Sequence, residues 1–163
     1  MVKFFSITLF VILLTGNFCQ AQKDVPSITI TGMDGSELNL NKLSQDKTVA
    51  VALWATWCVP CIRELDHIAK EYAEQNKAIG FELIAINVDA PRTAKRVPAL
   101  VGAKNWPFPV YKDKEGKLLN ALGVSMIPYT MVVRDGKILY RHSSYSPEAV
   151  KELYKKFSEI DKR

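Results

Sequence analysis

The stretch VALWATWCVPCIREL, residues 51–65, holds two of the chain's three cysteines, separated by two residues. Before them, the run TVAVALWA (48–55) is short, almost continuously apolar and rich in valine, which predicts a buried central strand. After Pro60, apolar side chains recur at the spacing of a helix face: Ile62, Leu65, Ile68, Ala69 and Tyr72. We therefore expect Cys58 and Cys61 at the junction between a strand and a helix.

The segments around this junction predict a sheet with parallel and antiparallel parts. FELIAINV (81–88) is a second candidate for a buried strand, and its connection through a helix predicts parallel pairing with the first. YTMVV (129–133) and KILYRH (137–142) predict a hairpin with Gly136 in its turn. Alternation on either side of the turn MDG predicts a smaller hairpin over residues 27–40.

Two further segments predict helices around this sheet. PRTAKRVPALVGAKNW (91–106) has a helical composition, but Pro98 removes a backbone donor, so we expect two short helices or a kink, then a strand near PFPVY (107–111). Ser146 and Pro147 predict the start of a closing helix, and its buried stripe comprises Val150, Leu153, Tyr154 and Phe157. The predicted fold class is α/β, with a central mixed β-sheet flanked by helices and an N-terminal β-hairpin extension.

The first 21 residues have the layout of a secretory signal peptide. Lys3 leads into an apolar run, 4–14, which polar residues and then FCQAQ follow. This run is shorter than the roughly 20 residues that a spanning helix needs. We expect cleavage after Ala21, which leaves residues 22–163 as one domain; lipidation of Cys19, or retention of the segment as an anchor, stays open.

Composition and charge narrow the class of protein. A chain of 163 residues that is 48% hydrophobic and 24% charged is typical of one globular domain. The formal charge of +5 falls to +4 if Lys3 leaves with the signal peptide, and the Lys-rich segments interleave with acids. No nucleic-acid partner is predicted, whereas a preference for acidic partners or a membrane surface stays open. Export would place the remaining two cysteines in an oxidising compartment.

The cysteine pair allows three interpretations from the residues alone. A zinc site needs about four ligands, and beside the two cysteines the exported chain offers only His67 and His142, which are more simply surface or packing residues. A permanent structural disulfide across so short a loop would constrain the unfolded chain little. A redox-active pair fits the strand-to-helix junction best, and it requires neither a metal nor a cofactor.

VALWATWCVPC, FELIAINVD and GVSMIPYTMVVRDGKIL together resemble the thioredoxin fold. The N-terminal hairpin and WPFPVYKDKEGKLLNALGV are more closely similar to the extracytoplasmic thiol-disulfide oxidoreductases of the TlpA and ResA type. The resemblance spans residues 26–157. It implies that Pro128 is a cis-proline beside the cysteines, that the Ile127 backbone binds the substrate strand, and that Trp57 offers a flat surface for docking.

The resemblance also locates departures from the pattern. Cytoplasmic thioredoxins carry an aspartate and a lysine in the two central strands, where this chain has Ala52 and Ala85. Glu64, three residues after Cys61 on the same helix face, matches an acidic residue of ResA-like proteins and is a candidate to carry the proton of Cys61. A solvated glutamate paired with a basic neighbour is the alternative. Tyr129 stands where a threonine is commoner.

The chemistry of disulfide exchange assigns roles to the two cysteines. The thiolate is the nucleophile, and a free thiol with a pKa of about 8.5 is only slightly ionised at pH 7. Cys58 precedes the predicted helix, whose unpaired N–H groups and dipole favour the anion, so its pKa is expected to be lowered. Cys58 is the predicted nucleophile, and Cys61, more shielded, then attacks Cys58 to release the product.

These features predict an exported, soluble disulfide reductase. The expected partners are oxidised protein substrates and a membrane thiol-disulfide electron carrier, with the haem-attachment cysteines of apocytochrome c among the candidate clients. Val59 and Pro60, between the cysteines, add no charge that would stabilise the reduced form, and this favours a reductant. An oxidase or isomerase of folding proteins, and a redox-inactive thioredoxin-like binding module, remain alternatives.

Overall fold

A computed structural model describes residues 22–163 of the chain. The predicted signal peptide, with Cys19 and the cleavage site after Ala21, lies outside the described residues. The strands are β1 (Lys23–Asp24), β2 (Thr29–Gly32), β3 (Glu37–Asn39), β4 (Val49–Trp54), β5 (Leu83–Asn87), β6 (Val110–Lys112), β7 (Tyr129–Arg134) and β8 (Lys137–Ser143). The helices are α1 (Leu40–Asp46), α2 (Val59–Ile79), α3 (Pro91–Ala94), α4 (Val97–Lys104), α5 (Lys117–Leu122) and α6 (Pro147–Asp161), with a 3-10 turn at Lys114–Gly116.

Within residues 22–163, eight strands form one mixed sheet in the order β1-β8-β7-β4-β5-β6-β2-β3. β4 pairs parallel with β5 and antiparallel with β7, and β5 pairs parallel with β6. The predicted parallel pair and both predicted hairpins are confirmed. The N-terminal hairpin joins the sheet through an antiparallel pairing of β2 with β6. The fold class predicted from the sequence is confirmed.

The apolar side chains of β4 alternate between the two faces of the sheet and build one core on each. Ala50, Ala52 and Trp54 belong to the core that contains both cysteines and the buried sides of α2 and α6. Val49, Val51 and Leu53 belong to the opposite core, with buried residues of β7 and α5. A strand that is buried on both faces has no solvent side, which is why its sequence is almost continuously apolar.

The helices begin and end at residues that satisfy their free backbone groups. Ser146 caps α6 through its hydroxyl, which accepts the N–H of Ala149 at 3.0 Å. Two short helices are present, as predicted, but they are separated at Lys95 and Arg96 rather than at Pro98. Pro98 lies in the first turn of α4, where its missing N–H costs nothing. Gly80 ends α2 with a positive φ of 66°, which glycine adopts without steric penalty.

Two helices were not predicted from the sequence. α1 begins at Leu40, which the hairpin prediction had included in a strand, and the Asn39 side chain caps it by accepting the N–H of Lys42 at 3.1 Å. α5 is held by the buried carboxylate of Asp113, which accepts the N–H groups of Leu118 and Leu119, each at 2.9 Å. Both helices depend on polar side chains that accept their first N–H groups, and hydrophobic periodicity carries no information about such contacts.

Candidate active site

The cysteine pair lies at the junction of β4 and α2, where it was predicted. Cys58 is the N-cap residue of α2, and Cys61 lies one turn further along the helix. The two form a disulfide with their Cα atoms 5.3 Å apart. The Cys58 sulfur accepts the backbone N–H of Cys61 at 3.3 Å. Cys58 therefore faces the free N–H groups of the helix, which favour a thiolate once the disulfide is reduced.

Both cysteines are buried. Cys58 is 4% exposed and Cys61 is 1% exposed, and both belong to the core between the sheet, α2 and α6. Among residues 22–163, no three His, Cys, Asp or Glu side chains are grouped closely enough to hold a metal ion. The two histidines considered as zinc ligands have other partners: His67 contacts Glu71 and Tyr145, and His142 contacts Glu64.

Exposed apolar side chains flank Cys58 in the chain and precede Pro128 in its loop. Trp57 is 60% exposed, and Val59 and Met126 are exposed as well, whereas Trp54 is fully buried, as predicted. The Ile127–Pro128 peptide bond is cis, which confirms the prediction for Pro128. Ile127 packs partly buried against the core that contains both cysteines. The loop that carries Met126, Ile127 and Pro128 thus packs, through Ile127, against the core that contains the redox pair.

Glu64 is buried in the same core and is 1% exposed. Its Oε1 atom accepts the hydroxyl of Thr130 at 2.7 Å and lies 3.0 Å from Nε2 of His142. The alternative of a solvated helix glutamate is therefore wrong. The physical reason is helix geometry: Cys61, Glu64 and Leu65 all lie on the face of α2 that packs against the sheet.

Ala52 and Ala85 lie in the central strands beside Thr130, a residue that contacts Glu64. Ala52 lies opposite Ala85 on β5 and opposite Thr130 on β7, in the two central pairings of the sheet. Both alanines are buried and have no polar atoms to offer. The polar groups of this core come instead from Glu64 on α2, Thr130 on β7 and His142 on β8.

Sequence reasoning missed Thr130, and it regarded His142 as a surface or packing residue. The register explains why, since the two lie opposite each other, with a β-bulge between Val132 and Val133. Regular pairing outward from the turn would place Arg141 opposite Thr130 and direct His142 to the other face. The alternation of Tyr140 and His142 on β8 indicated that the two share a face of the sheet. Which face this is depends on the bulge.

Asp89, which follows β5, forms hydrogen bonds with the loop before the cysteines. Its carboxylate accepts the N–H of Thr56 at 2.7 Å, the hydroxyl of Thr56 at 2.8 Å and the side-chain amide of Asn87 at 2.8 Å. Burial acts to raise the pKa of Asp89, but hydrogen bonds, including those from Thr93, Asn87 and Thr56, outweigh burial and lower it. Asp89 therefore holds a fixed negative charge that positions the segment leading to Trp57.

A sheet of this order, with a Cys-x-x-Cys disulfide ahead of a long helix and a cis-proline loop that packs against the same core, defines a thioredoxin-like thiol-disulfide oxidoreductase. The model of the Redoxin family matches residues 20–157, and the chain belongs to this family.

Individual relatives agree with this assignment. The chain is 32% identical over 121 residues to the thiol-disulfide oxidoreductase ResA of Bacillus thuringiensis (strain Al Hakam), which covers 74% of this chain and 68% of that protein. The solution structure of a thioredoxin-like protein from Porphyromonas gingivalis is 34% identical, with a TM-score of 0.72 over 85% of this chain and 92% of that one. The thioredoxin domain of a thiol-disulfide oxidoreductase from Bacteroides vulgatus has the same fold, with 20% identity, a TM-score of 0.69 and coverage of 85% and 96%.

The helices of residues 22–163 can be compared with the length and composition that a membrane span requires. No helix within 22–163 has both the length and the apolar composition needed to cross one.

Proposed function

We propose that this protein is an extracytoplasmic disulfide reductase, with Cys58 as nucleophile and Cys61 as resolving cysteine. The observation that carries the proposal is the position of Cys58 at the N-terminus of α2, where its sulfur accepts the N–H of Cys61 at 3.3 Å. The same N–H would stabilise a thiolate on Cys58. Val59 and Pro60 provide no further positive charge between the cysteines, which favours a pair that donates electrons.

The proposed reaction proceeds in two exchanges. The Cys58 thiolate attacks one sulfur of a client disulfide, and the client's other sulfur leaves as a thiolate and takes a proton from solvent. Cys61 then transfers its proton to Glu64 and attacks the Cys58 sulfur. The mixed disulfide breaks, the client leaves as a dithiol, and the Cys58–Cys61 disulfide forms.

Glu64 is the proposed proton acceptor because of its position and burial. It follows Cys61 by three residues on the same face of α2, and its side chain is 2% exposed. A carboxylate oxygen can accept a proton, so Glu64 can hold the proton that Cys61 loses. Glu64→Gln removes this capacity with little change in size.

The proposed client site is formed by the exposed apolar side chains that flank Cys58 and precede Pro128. Trp57 would contact the client chain, and the backbone of Ile127, ahead of Pro128, would pair with an extended client segment. Oxidised proteins of the cell envelope are the proposed clients, and the haem-attachment cysteines of apocytochrome c fit this class. A membrane-embedded dithiol carrier would reduce the Cys58–Cys61 disulfide after each turnover.

The first test is the reduction potential of the pair, equilibrated against glutathione or dithiothreitol and measured by trapping free thiols. A value near that of thioredoxin, about −270 mV, supports a reductant, whereas one near −120 mV would make the protein an oxidant of folding proteins. Cys61→Ser provides the second test, because it should trap client proteins as mixed disulfides with Cys58. Binding of clients without trapped adducts would indicate a redox-inactive binding module, and Cys58→Ser is the matched control.

A further inference from the structure

His142, which is far from the cysteines in sequence, contacts Glu64, the proposed proton acceptor for Cys61. His142 on β8 is 12% exposed at its side chain, and its Nε2 atom lies 3.0 Å from Oε1 of Glu64. Thr130 on β7 donates its hydroxyl to the same oxygen at 2.7 Å. Two donors from two strands thus converge on one oxygen of a buried acid.

The hydrogen bonds determine which nitrogen of His142 carries hydrogen. A carboxylate oxygen only accepts, so Nε2 is the N–H that donates to Glu64. The other nitrogen, Nδ1, is buried and has no hydrogen-bond partner among residues 22–163. A second hydrogen there would be a buried donor without an acceptor, which is costly. The geometry therefore fits an imidazole that carries its hydrogen on Nε2 and directs it at Glu64.

The ionisable groups packed around this pair are consistent with that role. Cys61 is buried on α2 together with Glu64, and Tyr140 on β8 has its ring centroid 5.8 Å from that of His142. Burial and the charge of Glu152 on α6 raise the pKa of Tyr140, Lys156 on α6 opposes this, and Glu64 raises it further, so the phenol stays neutral near pH 7. Thr130 and His142 both direct their polar groups at the Glu64 carboxylate.

We propose that His142 is a positioning residue, which with Thr130 holds the Glu64 carboxylate in the orientation needed for proton transfer from Cys61. This inference rests on the proposed function of Glu64. The step is Cys61–SH plus the Glu64 carboxylate giving the Cys61 thiolate plus the Glu64 carboxylic acid. With Oε1 occupied by both donors, the proton goes to Oε2. The thiolate then attacks the Cys58 sulfur and expels the client sulfur as a thiolate, which is protonated as Glu64 returns its proton through solvent.

The test compares two replacements of His142 in the full protein. His142→Gln keeps an N–H donor on a neutral side chain, and His142→Leu keeps the volume without a donor. The measurement is the single-turnover rate of the second exchange, recorded from pH 5 to 9 as a small aromatic disulfide is reduced and its second thiol is released. His67→Leu on α2 is the matched control, because His67 contacts Glu71 and Tyr145 and not Glu64.

We expect His142→Leu to slow the second exchange about tenfold at pH 7 and to shift its pH profile, because the Glu64 carboxylate loses one of the two donors that orient it. His142→Gln should restore most of the rate, and Thr130→Val should repeat the shift in milder form. Thermal unfolding of each variant verifies that it folds, and Thr130→Val keeps the test valid if His142→Leu does not.

Two outcomes would overturn the inference. One is an unchanged rate and pH profile in His142→Leu and Thr130→Val; the other is a His142→Gln variant as slow as His142→Leu, which would mean that the imidazole itself carries the proton. Glu64→Gln separates this inference from the proposed function. If Glu64→Gln resolves the mixed disulfide as fast as the unmodified protein, the proton-acceptor role of Glu64 fails, and the role of His142 fails with it. If Glu64→Gln is slow and the His142 variants are not, only the role of His142 fails.

Discussion

Replacing Asp89 by alanine should weaken both the fold and the loop that presents the cysteines. The buried carboxylate accepts three hydrogen bonds, at 2.7, 2.8 and 2.8 Å, from Thr56 and Asn87. Hydrogen bonds to a charged group contribute about 1.5 to 3 kcal/mol each, and they do not add fully because removal of the carboxylate also removes its desolvation cost. We expect the free energy of unfolding to fall by about 3 kcal/mol, measured by urea denaturation.

The pH dependence of stability provides a second measure of the same interaction. The pKa of Asp89 is lowered in the folded protein, so its contribution is fully present above the unfolded value of about 3.9 and is lost as pH falls through the lower folded value. Asp89→Ala should therefore lose stability at neutral pH and show a smaller decline between about pH 4 and pH 2.

Asp113→Ala is the matched control for the effect on the site. Its buried carboxylate accepts two backbone N–H groups at 2.9 Å, but these belong to α5 and not to the loop before Cys58. We expect a comparable loss of stability in both variants, and a slower dithiothreitol-dependent disulfide exchange only in Asp89→Ala. An Asp89→Ala protein whose free energy of unfolding lies within about 0.5 kcal/mol of the unmodified one, or equal exchange rates in the two variants, would contradict this role of Asp89.

Three further changes test other parts of the structure. Trp57→Ala should leave the urea midpoint nearly unchanged, because the side chain is 60% exposed, yet raise the KM for a protein substrate about tenfold while sparing a small disulfide; unaltered kinetics would contradict its role in docking. Phe157→Ala should lower the free energy of unfolding by about 3 to 5 kcal/mol, since the ring is fully buried against Phe81, and a loss below about 1 kcal/mol would be inconsistent with that packing. Gly136→Ala should cost about 1 kcal/mol or more in thermal unfolding, because φ is 68° and a Cβ would collide with the Gln45 side chain; a more stable variant would argue against this turn geometry.

Local sequence patterns were sufficient to predict the junction that holds the cysteines. The almost unbroken apolar run of β4 and the helical spacing after Pro60 each reflect short-range geometry, so Cys58 could be placed at a helix N-terminus without tertiary information. The Ser146 cap and the division into two short helices just before Pro98 are likewise encoded within a few residues. These features needed no knowledge of how the strands pair.

The surroundings of Glu64 could not be predicted in the same way. Its contacts with Thr130 and His142 join residues 66 and 78 positions apart in the chain. They also depend on the bulge beside Val132, which decides the face to which His142 points. Asp89 was missed for a similar reason. It accepts the N–H of Thr56 only because the fold brings the loop after β4 next to the end of β5. Satisfying buried polar groups is a property of the assembled core.

The two edge strands of the sheet limit its pairing with strands of other chains. Within residues 22–163, the outermost strands are β1, of two residues, and β3, of three, and they carry Lys23, Asp24 and Glu37. Edges so short and charged offer little backbone for pairing with another chain, which protects the protein from edge-to-edge aggregation.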